Sequence, residues 1–334
     1  MLRRSLPALA LLSAGAAVVL TTNCGSSPHE PTEKYVLVAA NTKISYWQTA
    51  AAGLRAAASE LKVKSELVGP LTYDPQAERD EFAAAVRGKP AGILVSAANA
   101  EIMTSGIDSA LQQGIPVITL DSDAPTSKRL FFIGTDNYSA GRLGGQLLVK
   151  LLGGRGNVVM FTYPNQLNLT ERQHGYEGVL EGHPGIKVTQ AIDIKGDPTV
   201  AFDTAKQLID SKVKVDAFVC LEAIACPEIG EIVNRANLGG KIIILAMDTD
   251  ERTLEWIQKG VISATIGQRP YTMAYFGTKL LDELHHHPPP SLTGDFARQS
   301  FSPLPTFVDT GTFIVDKNNV AAHIQENQAQ GVSQ

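Results

Sequence analysis

Two short acidic motifs carry the most chemical content in this sequence. Asp121 and Asp123 close an apolar run in GIPVITLDSDAP (114–125), and Asp248 and Asp250 close another in AMDTDERTLEWIQKG (246–260). A D-x-D pair at a strand end suits three chemistries. It could hold a metal, it could start phosphoryl transfer with one aspartate as nucleophile and the other as acid/base around Mg²⁺, or it could accept hydrogen bonds from hydroxyls of a neutral ligand. A D-x-D phosphatase needs its motif on an early strand and a cation aimed at the phosphate, whereas DSDAP follows three earlier strand-like runs. The sequence has no G-x-G-x-x-G, P-loop, G-x-S-x-G or H-E-x-x-H motif, and the glycines of GGRG (153–156) follow a helical stretch, where glycine ends helices. Hydroxyl recognition is the reading that remains, with no catalytic residues and no cofactor.

Tyr46 and Trp47, in NTKISYWQTAAAGL, follow the first strand-like run, where aromatic rings could stack on the apolar face of a sugar ring. The triplet His285, His286 and His287 precedes three prolines. Three consecutive residues converge poorly on one ion, so a solvated loop without metal is expected there.

These residues must be positioned by regular elements, and the pattern for them is clear. Strand-like runs occur at 35–40, 64–69, 92–97, 116–120 and 130–134, and again at 157–162, 186–192, 216–221, 241–247 and 262–267, with alanine-rich helical stretches between. Continuous apolar strands alternating with helices imply parallel sheets covered on both faces. Two such series imply two doubly wound α/β lobes related by a rough internal repeat, in which the two D-x-D motifs are counterparts. Ligands of open α/β sheets bind beyond the carboxyl ends of the strands, so both motifs would face a shared cleft. The expected first lobe comprises 35–135 plus 269–300 and the second 136–268 plus 305–330. Crossovers are expected near 134–137, near 267–270 and before Thr306.

Ahead of the lobes, Arg3 and Arg4 precede an apolar run over 6–20 and then TTNCGSS. This pattern predicts an export signal over 1–23 that is too short to span a bilayer, a lipidated Cys24, and a polar tether over 24–34. Without residues 1–23 the chain carries 27 basic against 34 acidic residues, a net charge of −7, which argues against a nucleic-acid partner. An exported chain could oxidise Cys220 and Cys226, but two small buried thiols are the expectation.

The motifs SYW (45–47), GIPVITLDSDAP, AMDTDERTLEWIQKG and ATIGQRPY (264–271) together resemble the type I periplasmic binding proteins of sugar uptake, over essentially the whole chain from Tyr35 to Phe313. The resemblance implies capture of a monosaccharide or related polyol by a monomer whose lobes close about a hinge, and delivery to an ABC transporter permease. It implies a location in the periplasm or on the cell surface, with the membrane reached only through the lipid anchor. Presentation of the ligand to a membrane sensor is the alternative. The resemblance places Asp121 and Asp248 on sugar hydroxyls from opposite lobes and Gln268 at the last crossover. It also points to Arg172 and Asn168 in NLTERQHGYEG (168–178) and to Glu222 after DAFVCL (216–221). Glu222, Asp123, Asp250 and Arg269 stand open between ligand contact and surface charge or helix capping. Ser122, Leu221 and Ile44 depart from ribose binders, so no particular sugar is implied.

Overall fold

The computed structural model describes residues 29–30 and 32–329; the expected export signal, Cys24 and most of the tether lie outside them. The first half runs β1 (Lys34–Val38), α1 (Ser45–Leu61), β2 (Lys64–Val68), α2 (Pro75–Arg87), β3 (Gly92–Val95), α3 (Ala100–Gln112), β4 (Val117–Leu120) and β5 (Phe132–Gly134). The second runs α4 (Asn137–Leu152), β6 (Gly156–Thr162), α5 (Leu167–Leu180), β7 (Ile186–Asp193), α6 (Pro198–Asp210), β8 (Ala217–Cys220), α7 (Ala225–Arg235), β9 (Ile243–Met247), α8 (Glu251–Gln258) and β10 (Ala264–Gly267). Then come α9 (Pro270–His286), β11 (Phe307–Asp309), β12 (Phe313–Asp316) and α10 (Val320–Ala329).

The strands form two six-stranded sheets in the orders β11-β5-β4-β3-β1-β2 and β12-β10-β9-β8-β6-β7. Equivalent strands of the two halves therefore hold equivalent places. Central strands β3, β4 and β8 are buried along their whole length, as parallel strands covered on both faces must be. Even the helix starts repeat. Asp74 and Asp197 each accept backbone N–H bonds at the N-terminus of α2 and α6, and proline occupies the first helical position in both.

Close helix packing fixes the parts that carry polar side chains inward. A Cβ on Gly141 of α4 would lie 1.9 Å from the backbone oxygen of Arg172, and one on Gly175 of α5 would lie 2.2 Å from that of Tyr138. Only glycine permits this approach, which sets the position of α5 and hence of Asn168 and Arg172.

Four expectations are corrected here. Phe307–Asp309 pairs with β5 in the first sheet, with Phe307 stacked on Phe132 at 5.2 Å, so 305–330 is not wholly second-lobe. The chain crosses back only at 310–312, after β11, rather than before Thr306. Edge strand β12 runs antiparallel to β10, which makes the second sheet mixed. Cys220 and Cys226 are joined in a disulfide with a Cα separation of 5.8 Å, because the turn from β8 into α7 brings them within bonding reach. A further difference concerns the histidine triplet: His285 and His286 form the last turn of α9 rather than a loop, since nothing in their backbone stops the helix before the prolines. Among the described residues no helix is long and apolar enough to cross a membrane.

Candidate ligand-binding site

The two key carboxylates arrive by the same backbone device. Asp121 is the first residue after β4 and Asp248 the first after β9, and both adopt the left-handed backbone, with φ of 66° and 67°. Few residues other than glycine are found there, and aspartate is among the more tolerant. Both side chains are buried where the lobes meet.

Each carboxylate is oriented by neighbours of its own lobe. The Tyr46 hydroxyl donates to Asp121 Oδ1 at 2.6 Å, and Ser96 Oγ lies 3.4 Å from Oδ2. Asn168 Nδ2 reaches across from the second lobe to Asp121 Oδ2 at 3.3 Å. Opposite, Gln268 Nε2 donates to Asp248 Oδ1 at 2.9 Å, and the Thr265 hydroxyl donates to the Asp248 backbone oxygen at 2.6 Å. Arg172, 2% exposed, donates to the backbone oxygen of Leu221 and to Asn137 Oδ1 at 2.6 Å. Glu222 accepts from the N–H groups of Ile224 and Ala225 at 2.6 and 3.1 Å, at the start of α7.

The cavity between the lobes brings together Asp121, Asp248, Gln268, Arg172, Asn168, Glu222, Tyr46 and Trp47. Asn168 Oδ1, Gln268 Oε1 and Arg172 Nε are buried there without a hydrogen-bond partner among the described residues. Orphaned polar atoms of this kind are rare in folded chains, and all three line the same cavity from the second lobe. Two acceptors and one donor are thus left for a polar molecule.

Asp123 is not part of this set. Arg129 Nε and Nη2 each donate to its carboxylate at 2.5 Å, the Thr119 hydroxyl at 2.6 Å and the Ala124 N–H at 2.8 Å, so its oxygens are committed within its own loop. The D-x-D phosphatase reading falls with it, because the second acid is bound to a cation of its own loop. Tyr46 lines the cavity, but its hydroxyl is spent on Asp121 and its ring meets Trp47 edge-on at 5.1 Å, so it orients Asp121 rather than offering a face. Asp250 caps α8 through the Arg252 N–H at 3.0 Å and accepts from Ser45 Oγ of the other lobe at 3.0 Å. Arg269 lies over the Phe313 ring at 5.1 Å.

Sequence reasoning missed Tyr73, Tyr163 and Gln166. Tyr73 and Tyr163 approach across the lobes with centroids 4.9 Å apart and line the cavity with Gln166. Tyr163 follows β6 as Asp121 follows β4, so the strand-end rule that found the aspartates would also have found this ring.

Burial dominates the electrostatics. It pushes the Asp248 carboxyl up to about 7, against Arg172 and the Gln268 hydrogen bond. It pushes Glu222 up to about 7 against the two N–H groups it accepts from, and it raises Asp121 against the Tyr46 hydroxyl and Arg172. In an unfolded chain such groups titrate near about 4, so between these values the folded chain holds the extra protons. Their contribution to stability is complete below the unfolded value and is lost as the pH rises through the folded one. The melting temperature without added sugar is therefore expected to fall from about pH 5 to about pH 8. Asp248→Asn should remove part of that slope, while Glu222, Asp121 and Glu78, also raised by burial, keep the remainder. A melting temperature that climbs over this range, or a slope unchanged in the variant, would contradict the assignment.

Two matched lobes closing on a buried, carboxylate-bearing cavity define the class of two-lobed solute-binding proteins. The chain belongs to the periplasmic binding protein domain family, which matches residues 35–286, and it is a binding protein rather than an enzyme. It is 23% identical over 331 residues to the xylose/arabinose-binding protein XylF of Sulfolobus acidocaldarius, covering 92% of this chain and 77% of that one. Among solved structures, the sugar-binding protein of a sugar ABC transporter from Bacillus halodurans is 34% identical with a TM-score of 0.76. The arabinose-binding protein AraP from Geobacillus stearothermophilus is also 34% identical, with a TM-score of 0.73. In both cases the match covers 87% of this chain and 99% of the other.

Proposed function

We propose that this protein is an extracytoplasmic sugar-binding component of an ABC transporter. It captures a monosaccharide or related polyol between its lobes and presents the closed form to a permease. The observation that carries this reading is the pair of buried carboxylates, Asp121 and Asp248, from opposite lobes on one cavity, with Gln268 and Asn168 beside them. An ionised carboxylate accepts from two neighbouring hydroxyls, and the orphaned oxygens of Asn168 and Gln268 add acceptors from the second lobe. Trp47 supplies apolar ring surface. Three buried carboxyls against the single guanidinium of Arg172 favour a neutral ligand over a phosphorylated or acidic one. A ligand touching both lobes stabilises their closed arrangement about the three crossovers. Arabinose- and xylose-type binding among the similar proteins supports a pentose, and the sugar ABC transporter to which the Bacillus halodurans protein belongs favours a permease over a sensor as partner.

The anchoring reading accompanies it: removal of 1–23, acylation of Cys24 and a monomer held at the membrane by acyl chains. A calorimetric screen of pentoses, hexoses, sugar alcohols and cyclitols tests the central claim. One-to-one binding of a neutral sugar, with Kd about 10⁻⁶ M or tighter, is the expected outcome. If only charged solutes bound, the reading would fail.

A further inference from the structure

The end of α9 meets the segment that leads into β1, and the junction concentrates metal-ligating groups far from the inter-lobe cavity. His286 places Nδ1 3.0 Å from the backbone oxygen of Asp282 and Nε2 3.3 Å from Glu33 Oε1. The other Glu33 oxygen, Oε2, is buried and has no hydrogen-bond partner among the described residues. Glu33, His285 and His286 each offer a ligand atom, and these atoms lie within 4.8 Å of one another.

Three features go beyond a simple ion pair. With Nδ1–H on the Asp282 carbonyl, the proton on Nε2 that bonds Glu33 Oε1 is the one a metal ion would replace, and a backbone oxygen on the other ring nitrogen is the arrangement that orients metal-bound histidines. Two ligands at zinc distances in a tetrahedron stand roughly 3.3 Å apart, which is the spacing of Nε2 and Glu33 Oε1. A buried carboxylate oxygen without a donor is costly, and a cation would remove that cost. Two imidazoles with one carboxylate suit zinc and its first-row neighbours, whereas calcium and magnesium prefer all-oxygen sets.

We propose that Glu33, His285 and His286 form a binding site for a divalent transition-metal ion of the zinc class, with a fourth position open to water. The ion staples the segment preceding β1 to the C-terminal turn of α9, at the point where the chain enters its first lobe. Its contribution to stability follows free metal concentration by mass action. His29 and Asp282, bonded at 2.8 Å, form a neighbouring pair that shares His286 and is the competing location for the ion.

The test uses the full chain without a histidine affinity tag, stripped with a chelator and titrated with zinc chloride alone. One zinc per chain is expected, with a rise in melting temperature on binding. His285 is exposed, so His285→Ala should fold and melt without metal as the parent does, yet bind zinc at least about tenfold more weakly. Glu33→Gln should show the same loss, and His29→Ala should leave affinity within about twofold. Absence of zinc binding up to millimolar metal would overturn the proposal. So would loss of binding in His29→Ala with full binding retained in His285→Ala.

Discussion

Asp121→Ala is expected to weaken sugar binding by at least about a hundredfold, and Asp248→Ala to do the same. Each carboxylate sits in a buried cavity where a hydroxyl–carboxylate hydrogen bond contributes about 1.5–3 kcal/mol; Asp248 has room for two hydroxyls and Asp121, which already accepts from Tyr46, Ser96 and Asn168, for one, so about 3 kcal/mol is lost with either acid. The Asn variants keep one acceptor oxygen and should lose less than the Ala variants. Folding should not suffer in parallel. Both acids are raised by burial, so removing either relieves a desolvation cost. Calorimetry of the sugar found in the screen, beside a thermal melt, separates binding from stability. If one Ala variant bound as tightly as the parent, the two-sided grip would be wrong even though the cavity exists.

Arg172→Met should show the largest stability loss of any cavity substitution, about 3–5 kcal/mol at mildly alkaline pH. Its guanidinium is the cation that lowers Asp121, Asp248 and Glu222, and its N–H groups satisfy Leu221 and Asn137. Without it, three buried carboxyls face one another unless they take up protons. The deficit in urea unfolding should therefore shrink between about pH 8 and about pH 5, where the carboxyls are protonated in the variant. An equal deficit at both pH values would mean that Arg172 acts through packing alone. Sugar affinity should also fall, since the orphaned Nε donor is lost.

The alternation of apolar runs and helices made all of the first ten strands legible: the central ones because parallel strands buried on both faces leave continuous hydrophobic runs, and the more exposed edge strands β2 and β7 through their place between helices. Asp121 and Asp248 were legible for a related reason: a polar residue closing such a run stands where strands open onto a cleft. Asp123 was not, since its partner Arg129 lies six residues on, across a turn with no periodic signature. Phe307–Asp309 resisted for lack of length. Three residues can complete either sheet edge, and only stacking on Phe132 decides which. The pairing of Glu33 with His286 joins positions 253 apart, which no local pattern records. The residues of the ligand cavity contributed by α5 depended on the Gly141–Gly175 contact, a tertiary fact that leaves only two glycines in the sequence as its trace.

The left-handed backbone at Asp121 and Asp248 has a consequence for how this chain can change. A non-glycine residue there gives up roughly 1 kcal/mol relative to an ordinary conformation. Variants sorted for heat resistance alone would drift to glycine at both positions and lose their cargo. Variants sorted for uptake of that cargo would retain the acids at the expense of durability. These two symmetric bends are where endurance and selectivity pull the sequence in opposite directions.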